Sequence, residues 1–423
     1  MTALTADHAA ALGGPDWLAA RRTAAVARFA TTPAPATDLE MWRYSRIDRV
    51  ALDTLQAAGP APEGDAAALA ASVAALDPVA TIVLVDGRLA HCDVDQAWVS
   101  KGLVVGRHAE VVADGAHFAA LEADEELDRF ALANVAFGTD AVLVHVPRGL
   151  DVDRPVVVVE WSEGVATVGF PRITVVAEDG AAVAVLEVQR SAPSAPLTVP
   201  AVDLVAGRDA RLQFLTLQDL DPATDAVGTL VARAGQQATV RVGVAAFGGR
   251  YARQRLDARL DAPGATVDLV AVSFGDGDQM VDFRTCQDHR APDCTSDLLF
   301  KGVVDGRAHS VYSGLIRVRP GAKGTNAYQT NRNIKLSDDA WAESVPNLEI
   351  ENNDVRCSHA STVGPIDDDQ RFYLESRGVP PEAAEQLVVT GFFDEVLDKL
   401  PVVGAADHVR SRVADKLARS AGA

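Results

Sequence analysis

Apolar residues recur along this chain in two rhythms. Near both ends they fall three and four positions apart, as on a helix. Through the middle they come in short β-type runs separated by Gly, Asp or Pro. The first helix carries Leu18, Arg21, Ala25 and Phe29 on one face, with Pro15 suited to its first turn, and residues 31–35 break it. A second element begins at Glu40-Met41-Trp42-Arg43-Tyr44. Residues 57–76 are Ala-rich, with Pro60 and Pro62 at the head of a short helix.

From about residue 81 the strand-like runs are 82–85, 141–146, 156–160, 173–176, 182–185, 240–244, 267–272, 315–318 and 348–350. Helical periodicity is nearly absent between about 140 and 360. So many short strands mean a sandwich, a barrel or a β-helix. The length without a helical interruption favours a stacked solenoid, although no strict repeat period is visible. After residue 366 the pattern is helical again. Gly378 is placed to end a helix over 367–376, Pro381 opens the next, and Val389, Phe392, Phe393, Val396 and Leu400 form an apolar stripe along it. Residues 405–419 predict a last, polar helix. The organisation expected is a mostly helical region 1–80, a β-rich region 81–365 and a helical domain 366–423.

Composition narrows the function. The 423 residues are 48% hydrophobic and 23% charged, which is ordinary for a globular protein. The formal charge of −20 disfavours nucleic acid and anionic membrane as partners, since both reward a basic face. No secretory signal and no membrane-length apolar stretch is visible, so a cytoplasmic protein with reduced thiols is expected. The four cysteines are Cys92, Cys286, Cys294 and Cys357.

Few residues are arranged for chemistry. If 355–360 is a strand, Cys357 and His359 project from the same face, a thiol and an imidazole that suit iron, zinc or a cluster, or a nucleophile with its base. Spacing alone does not complete a site, and a buried structural role for both is the alternative. Cys286, His289 and Cys294 match no standard zinc spacing and read as a loop with a locally bonded His. The carboxylates Glu122, Asp124, Glu125, Glu126 and Asp128, and the run Asp367-Asp368-Asp369, read as helix N-termini and solvated faces. Walker, Rossmann, nucleophile-elbow and HExxH motifs are absent.

The stretch from about 288 to 400 resembles the SufB/SufD family of iron–sulfur assembly proteins. The residues that carry the resemblance are His289, Ser296, Phe300-Lys301-Gly302-Val303, Ser313-Gly314-Leu315-Ile316-Arg317-Val318 and Pro346-Asn347-Leu348-Glu349-Ile350-Glu351. It continues through Asn353-Asp354-Val355-Arg356-Cys357-Ser358-His359, Thr362-Val363-Gly364 and Phe372-Tyr373-Leu374-Glu375-Ser376-Arg377-Gly378, with weaker echoes at 40–44, 85–88 and 132–137. The resemblance implies a mainly β fold, a right-handed parallel β-helix core flanked by helical N-terminal and C-terminal regions. It also implies a non-catalytic scaffold subunit: a heterodimer with a SufB-type paralogue through the β-helices, and a SufC-type ATPase on the C-terminal helices.

B-type members carry an essential Cys that counts onto Thr330, after Gln329, and read Glu-His-Glu around the position of His359. Thr330 and Cys-Ser-His here resemble the D type. The resemblance then makes His359 the principal site residue and Cys357 a supporting one. No cofactor is permanently bound; iron or an Fe–S cluster is held transiently at the boundary with the SufB-type subunit. The ATPase dock falls on Val389, Phe392, Phe393, Val396 and Leu400. The alternatives are a B-like homodimeric scaffold and, from a different class, a β-helix polysaccharide-active enzyme, for which the chain lacks both an export signal and a clear carboxylate cluster.

Overall fold

A computed structural model describes residues 4–58, 66–112, 127–139, 141–402 and 404–420. Pro60, Pro62, Glu122, Asp124, Glu125 and Glu126 lie outside these residues. Asp128 is the N-cap of helix Arg129–Phe137, accepting from the Ala131 N–H at 2.9 Å.

Consecutive strands alternate between two sheets, so the chain winds as a parallel β-solenoid of about eight turns. One sheet stacks Val142–Val146, Arg172–Ala177, Ala201–Ala206, Asp225–Ala234, Tyr251–Leu260, Met280–His289, His309–Val318 and Trp341–Ile350. The other stacks Ala80–Val85, Val156–Ser162, Ala182–Ser191, Arg211–Asp219, Thr239–Ala246, Thr266–Gly275, Thr295–Val304, Thr325–Lys335 and Val355–Pro365. Antiparallel strands Val104–Arg107 and Arg88–Val94 close the first sheet and the second sheet at the N-terminal end. Trp341–Ile350 and Val355–Pro365, at the C-terminal end, are each paired on one side only.

The turns are unequal. Thr239 stacks on Thr266, Thr266 on Thr295, Thr295 on Asn326 and Asn326 on Arg356, so successive turns are 27, 29, 31 and 30 residues long. What repeats is a backbone position. Gly180, Asp209, Gln237, Gly264, Asp293 and Gly324 all have positive φ and stack at one corner. Each donates its N–H to the corner of the next turn, from Gly180 on the Arg208 carbonyl to Gly324 on the Asp354 carbonyl. A left-handed residue is what the sharp corner needs, and Gly, Asp and Gln alternate in supplying it.

Inside the solenoid, columns of Val, Leu, Ala and Phe meet between the sheets; Val185, Phe214, Val242, Leu269 and Leu298 form one of them. Glu160 and Glu187 interrupt this lining. Burial, then the neighbouring charge of Glu187, holds the Glu160 carboxyl well above the usual range.

Each outer face is covered as well, except at the last turn. Trp42, Phe29 and helix Arg129–Phe137 pack on the first sheet, over Val199, Val227, Tyr251 and Met280. The helix Asp16–Thr31 turns Leu18, Arg22, Ala25 and Phe29 inward. Arg22 is buried where Arg21 was expected, because its guanidinium donates to the carbonyls of Gly13, Gly138 and Thr139. The C-terminal helices Pro381–Leu397 and Ala405–Ser420 cover the second sheet, over Leu215, Val270, Val272 and Phe274. Strands buried on both faces need no polar alternation, which is why the middle of the sequence reads as continuous apolar runs.

Candidate functional site

The strand Val355–Pro365 is entered through a tight turn. Asn352 accepts from the Asp354 N–H at 2.9 Å and donates to the Pro320 carbonyl at 2.7 Å. The strand leads into helix Asp368–Ser376, which Asp367 caps on the N–H groups of Asp369 and Gln370. Gly378, at φ 86°, lies just past the end of this helix.

Register fixes the faces. Cys357 stacks on Ala327, His359 on Gln329 and Ser361 on Asn331, and all three lower residues are buried inside the solenoid. Cys357 and His359 therefore share the inward-facing side of the last strand, as the alternation predicts. Among the described residues no further turn covers them, so what faces inward on every other turn faces an open mouth here. Across it the first sheet contributes Leu348 and Ile350, stacked on the buried Ile316 and Val318 yet 41% and 42% exposed themselves.

The pair is not alike. Cys357 packs against Ile316, Val318 and Ala327, and burial pushes its thiol up, away from thiolate. His359 is exposed, and its ring has no hydrogen-bond partner among the described residues. Thr330 stacks on Leu299 and under Ala360, on the face opposite to His359. Among the described residues no group of three or more His, Cys, Asp and Glu side chains is placed to hold a metal ion. Cys357 and His359 are thus two side chains with donor atoms on one face of an unclosed mouth.

The residues around Cys286 are not a loop. Cys286 and His289 lie on strand Met280–His289, three positions apart and so on opposite faces, and Cys294 is fully buried at the following corner. Burial, then the charges of Asp257 and Asp288, push the Cys286 thiol up to about 12, which makes it inert. His289 points inward, with Nε2 2.8 Å from Ser296 Oγ, and burial lowers its imidazole to about 4.

Sequence reasoning missed what surrounds His289. In the last turns the lining changes from Val, Leu and Ala to Thr285, Gln287, His289, Ser296, Tyr312, Gln329, Asn331 and Asn333, all buried. The signal was present in Thr325–Lys335, which is polar at most positions and in which Thr325, Gln329, Asn331 and Asn333 are buried.

The C-terminal stripe is largely turned inward. Val389, Phe393 and Val396 are fully buried on the solenoid, while Phe392 and Leu400 are partly so. Lys301 secures the helix, donating to the Phe392 carbonyl at 2.7 Å and pairing with Glu395 at 2.7 Å. These residues hold the helical domain onto the second sheet. The apolar surface left open is Phe372 and Tyr373, 70% and 59% exposed, with Leu387. Tyr373 and Leu387 edge a cleft of about 890 Å³ that Lys301 and Arg332 also line.

Comparison with known proteins agrees with this architecture. Residues 160–392 match the SUF system FeS cluster assembly SufBD core domain, and residues 6–158 match the SufBD N-terminal region. The iron–sulfur cluster assembly SufBD family protein Rv1462 of Mycobacterium tuberculosis is 34% identical over 299 residues, 69% of this chain and 74% of that protein. The iron–sulfur cluster assembly protein SufD of Bacillus subtilis is 26% identical over 78% of this chain and 77% of its own length. SufD of Escherichia coli is 33% identical over 40% of each chain. With both family regions matched in order and a relative above 30% identity over most of its length, the chain belongs to the SufBD family of the SUF iron–sulfur cluster assembly system.

Proposed function

We propose that this chain is a D-type scaffold subunit that pairs with a SufB-type paralogue and carries a SufC-type ATPase, and that it has no catalytic reaction of its own. Iron or a nascent cluster is its transient cargo. The observation that carries this reading is the position of His359: exposed, without a partner among the described residues, on the inward-facing side of a last strand whose outer edge is unpaired. An imidazole there is an incomplete ligand set until another protein surface meets it, and such a shared site is labile enough to release its cargo.

Support for the D type comes from the two relatives named SufD and from Thr330, at the position where the family resemblance implies a Cys in the B type. The unpaired edges of Trp341–Ile350 and Val355–Pro365 offer backbone donors and acceptors, and Leu348 and Ile350 offer apolar surface, to the paralogue. The ATPase docks on the outward surface of the C-terminal helices, where Phe372, Tyr373 and Leu387 are exposed. No described helix is long and apolar enough to cross a membrane.

The test is His359→Ala in the complex co-expressed with its paralogue and ATPase and isolated anaerobically. The variant is expected to assemble normally yet lose most of its iron and acid-labile sulfide, with Cys357→Ala losing less. Normal cluster content in the His359→Ala complex removes the ligand role.

A further inference from the structure

The buried polar lining fixes the orientation of one side chain beneath His359. Gln287 donates from Nε2 to Ser296 Oγ at 2.7 Å and to the Tyr328 carbonyl at 3.2 Å. A carbonyl only accepts, so this contact sets which end of the Gln287 amide is which. Its Oε1 is then the atom that receives Gln329 Nε2, at 3.4 Å. The Tyr312 hydroxyl is hydrogen-bonded to Gln329 as well. Gly314 makes room for this arrangement, since a Cβ there would collide with both the Tyr312 hydroxyl and Gln329 Nε2. With the nitrogen end committed, Gln329 Oε1 is left buried and without a donor. A buried amide oxygen without a partner is destabilising, so a donor that reaches it is favoured. The residue stacked directly on Gln329, with its side chain on the same face, is His359.

We propose that Gln329 is a positioning residue for His359. Neither Gln329 Oε1 nor the His359 ring has a hydrogen-bond partner among the described residues as they stand, and a turn of the ring over Gln329 lets Oε1 take the proton of one imidazole nitrogen, leaving the lone pair of the other directed out of the mouth. This rests on the reading of His359 as a nitrogen ligand. An imidazole binds metal through the nitrogen that carries no proton, so fixing the tautomer from below presents a ready donor to whatever surface closes the site. An amide suits this role because it is uncharged and does not draw the imidazole towards its cationic, non-ligating form.

The experiment reads the tautomer in the full-length chain, without cluster or partners. Histidine labelled with nitrogen-15 in the ring is observed above the imidazole pKa, at about pH 8, and His359 is assigned by the signal lost in His359→Ala. The wild type is expected to hold His359 predominantly in one tautomer. Gln329→Met, which keeps the volume and removes the acceptor, is expected to give the two-tautomer mixture of a solvated imidazole, and Gln329→Glu to restore one form. A mixture already present in the wild type overturns the proposal and needs no variant to fold. So does an unchanged population in folded Gln329→Met. If His359→Ala retains its cluster while the tautomer still follows Gln329, the ligand reading fails and the positioning stands.

Discussion

The strands Thr266–Gly275 and Val355–Pro365 belong to the same sheet, three turns apart, yet live in different environments. In the first, the inner residues Val267, Leu269 and Ala271 meet the opposite sheet, and the outer residues Val270 and Val272 meet the C-terminal helices. Only a few of its positions touch water. Among the described residues the second has no helix over it and no turn beyond it, and most of its residues are exposed. Backbone geometry is common to both strands. What separates them is what covers each face, and the uncovered strand is the one that carries His359.

The largest expected effect lies on the covered side. Phe393→Ala removes a fully buried ring between helix Pro381–Leu397 and the second sheet, and should cost about 3–5 kcal/mol in chemical denaturation. A loss below about 1 kcal/mol would mean that the helical layer is not packed as a core.

Next comes acid, acting on the polar interior near the open end. His289 is buried with its imidazole lowered from 6.5 to about 4. Between these values the unfolded chain binds a proton that the folded chain does not, so stability is full above 6.5 and falls as the pH drops towards 4. The loss amounts to ~3 kcal/mol across that window. His289→Gln should flatten this limb of the stability curve, and an identical acid limb in the variant would place the loss elsewhere.

The smallest effect on folding belongs to the mouth. Leu348→Ser touches a residue with 41% of its surface exposed and should shift stability by less than about 0.5 kcal/mol. Under the proposed pairing the same change weakens assembly with the paralogue, read by size-exclusion chromatography of the co-expressed pair. Unchanged assembly would move the interface away from Leu348.

The chain-level pattern was legible where each element is amphipathic or uniformly apolar. The first helix, the helix stop at Gly378, the opening at Pro381 and nine of the strands could be read directly. Strands such as Tyr251–Leu260 and Met280–His289 were not, because Arg and Asp alternate through them. On the outer face Arg253 reaches Asp282 at 2.9 Å and Arg284 reaches the same carboxylate at 2.6 Å. Charges paired across neighbouring strands look like loop residues until their partners are known. The missing period has a similar cause. The corner repeats a left-handed backbone position, and Gly, Asp and Gln occupy it in turn, so nothing in the residue identities keeps time.

The sequence by itself determined the family, the solenoid with helices at both ends, and the same-face placement of Cys357 and His359. Those follow from motif order and from the period of two along a strand, both local properties. Tertiary structure alone decided that this face is an open mouth, that Val389, Phe393 and Val396 are spent on the chain's own second sheet, and that Gln329 lies beneath His359 with an unpartnered oxygen. These depend on which residues stack about thirty positions apart, where turns of 27 to 31 residues leave no fixed spacing to count by.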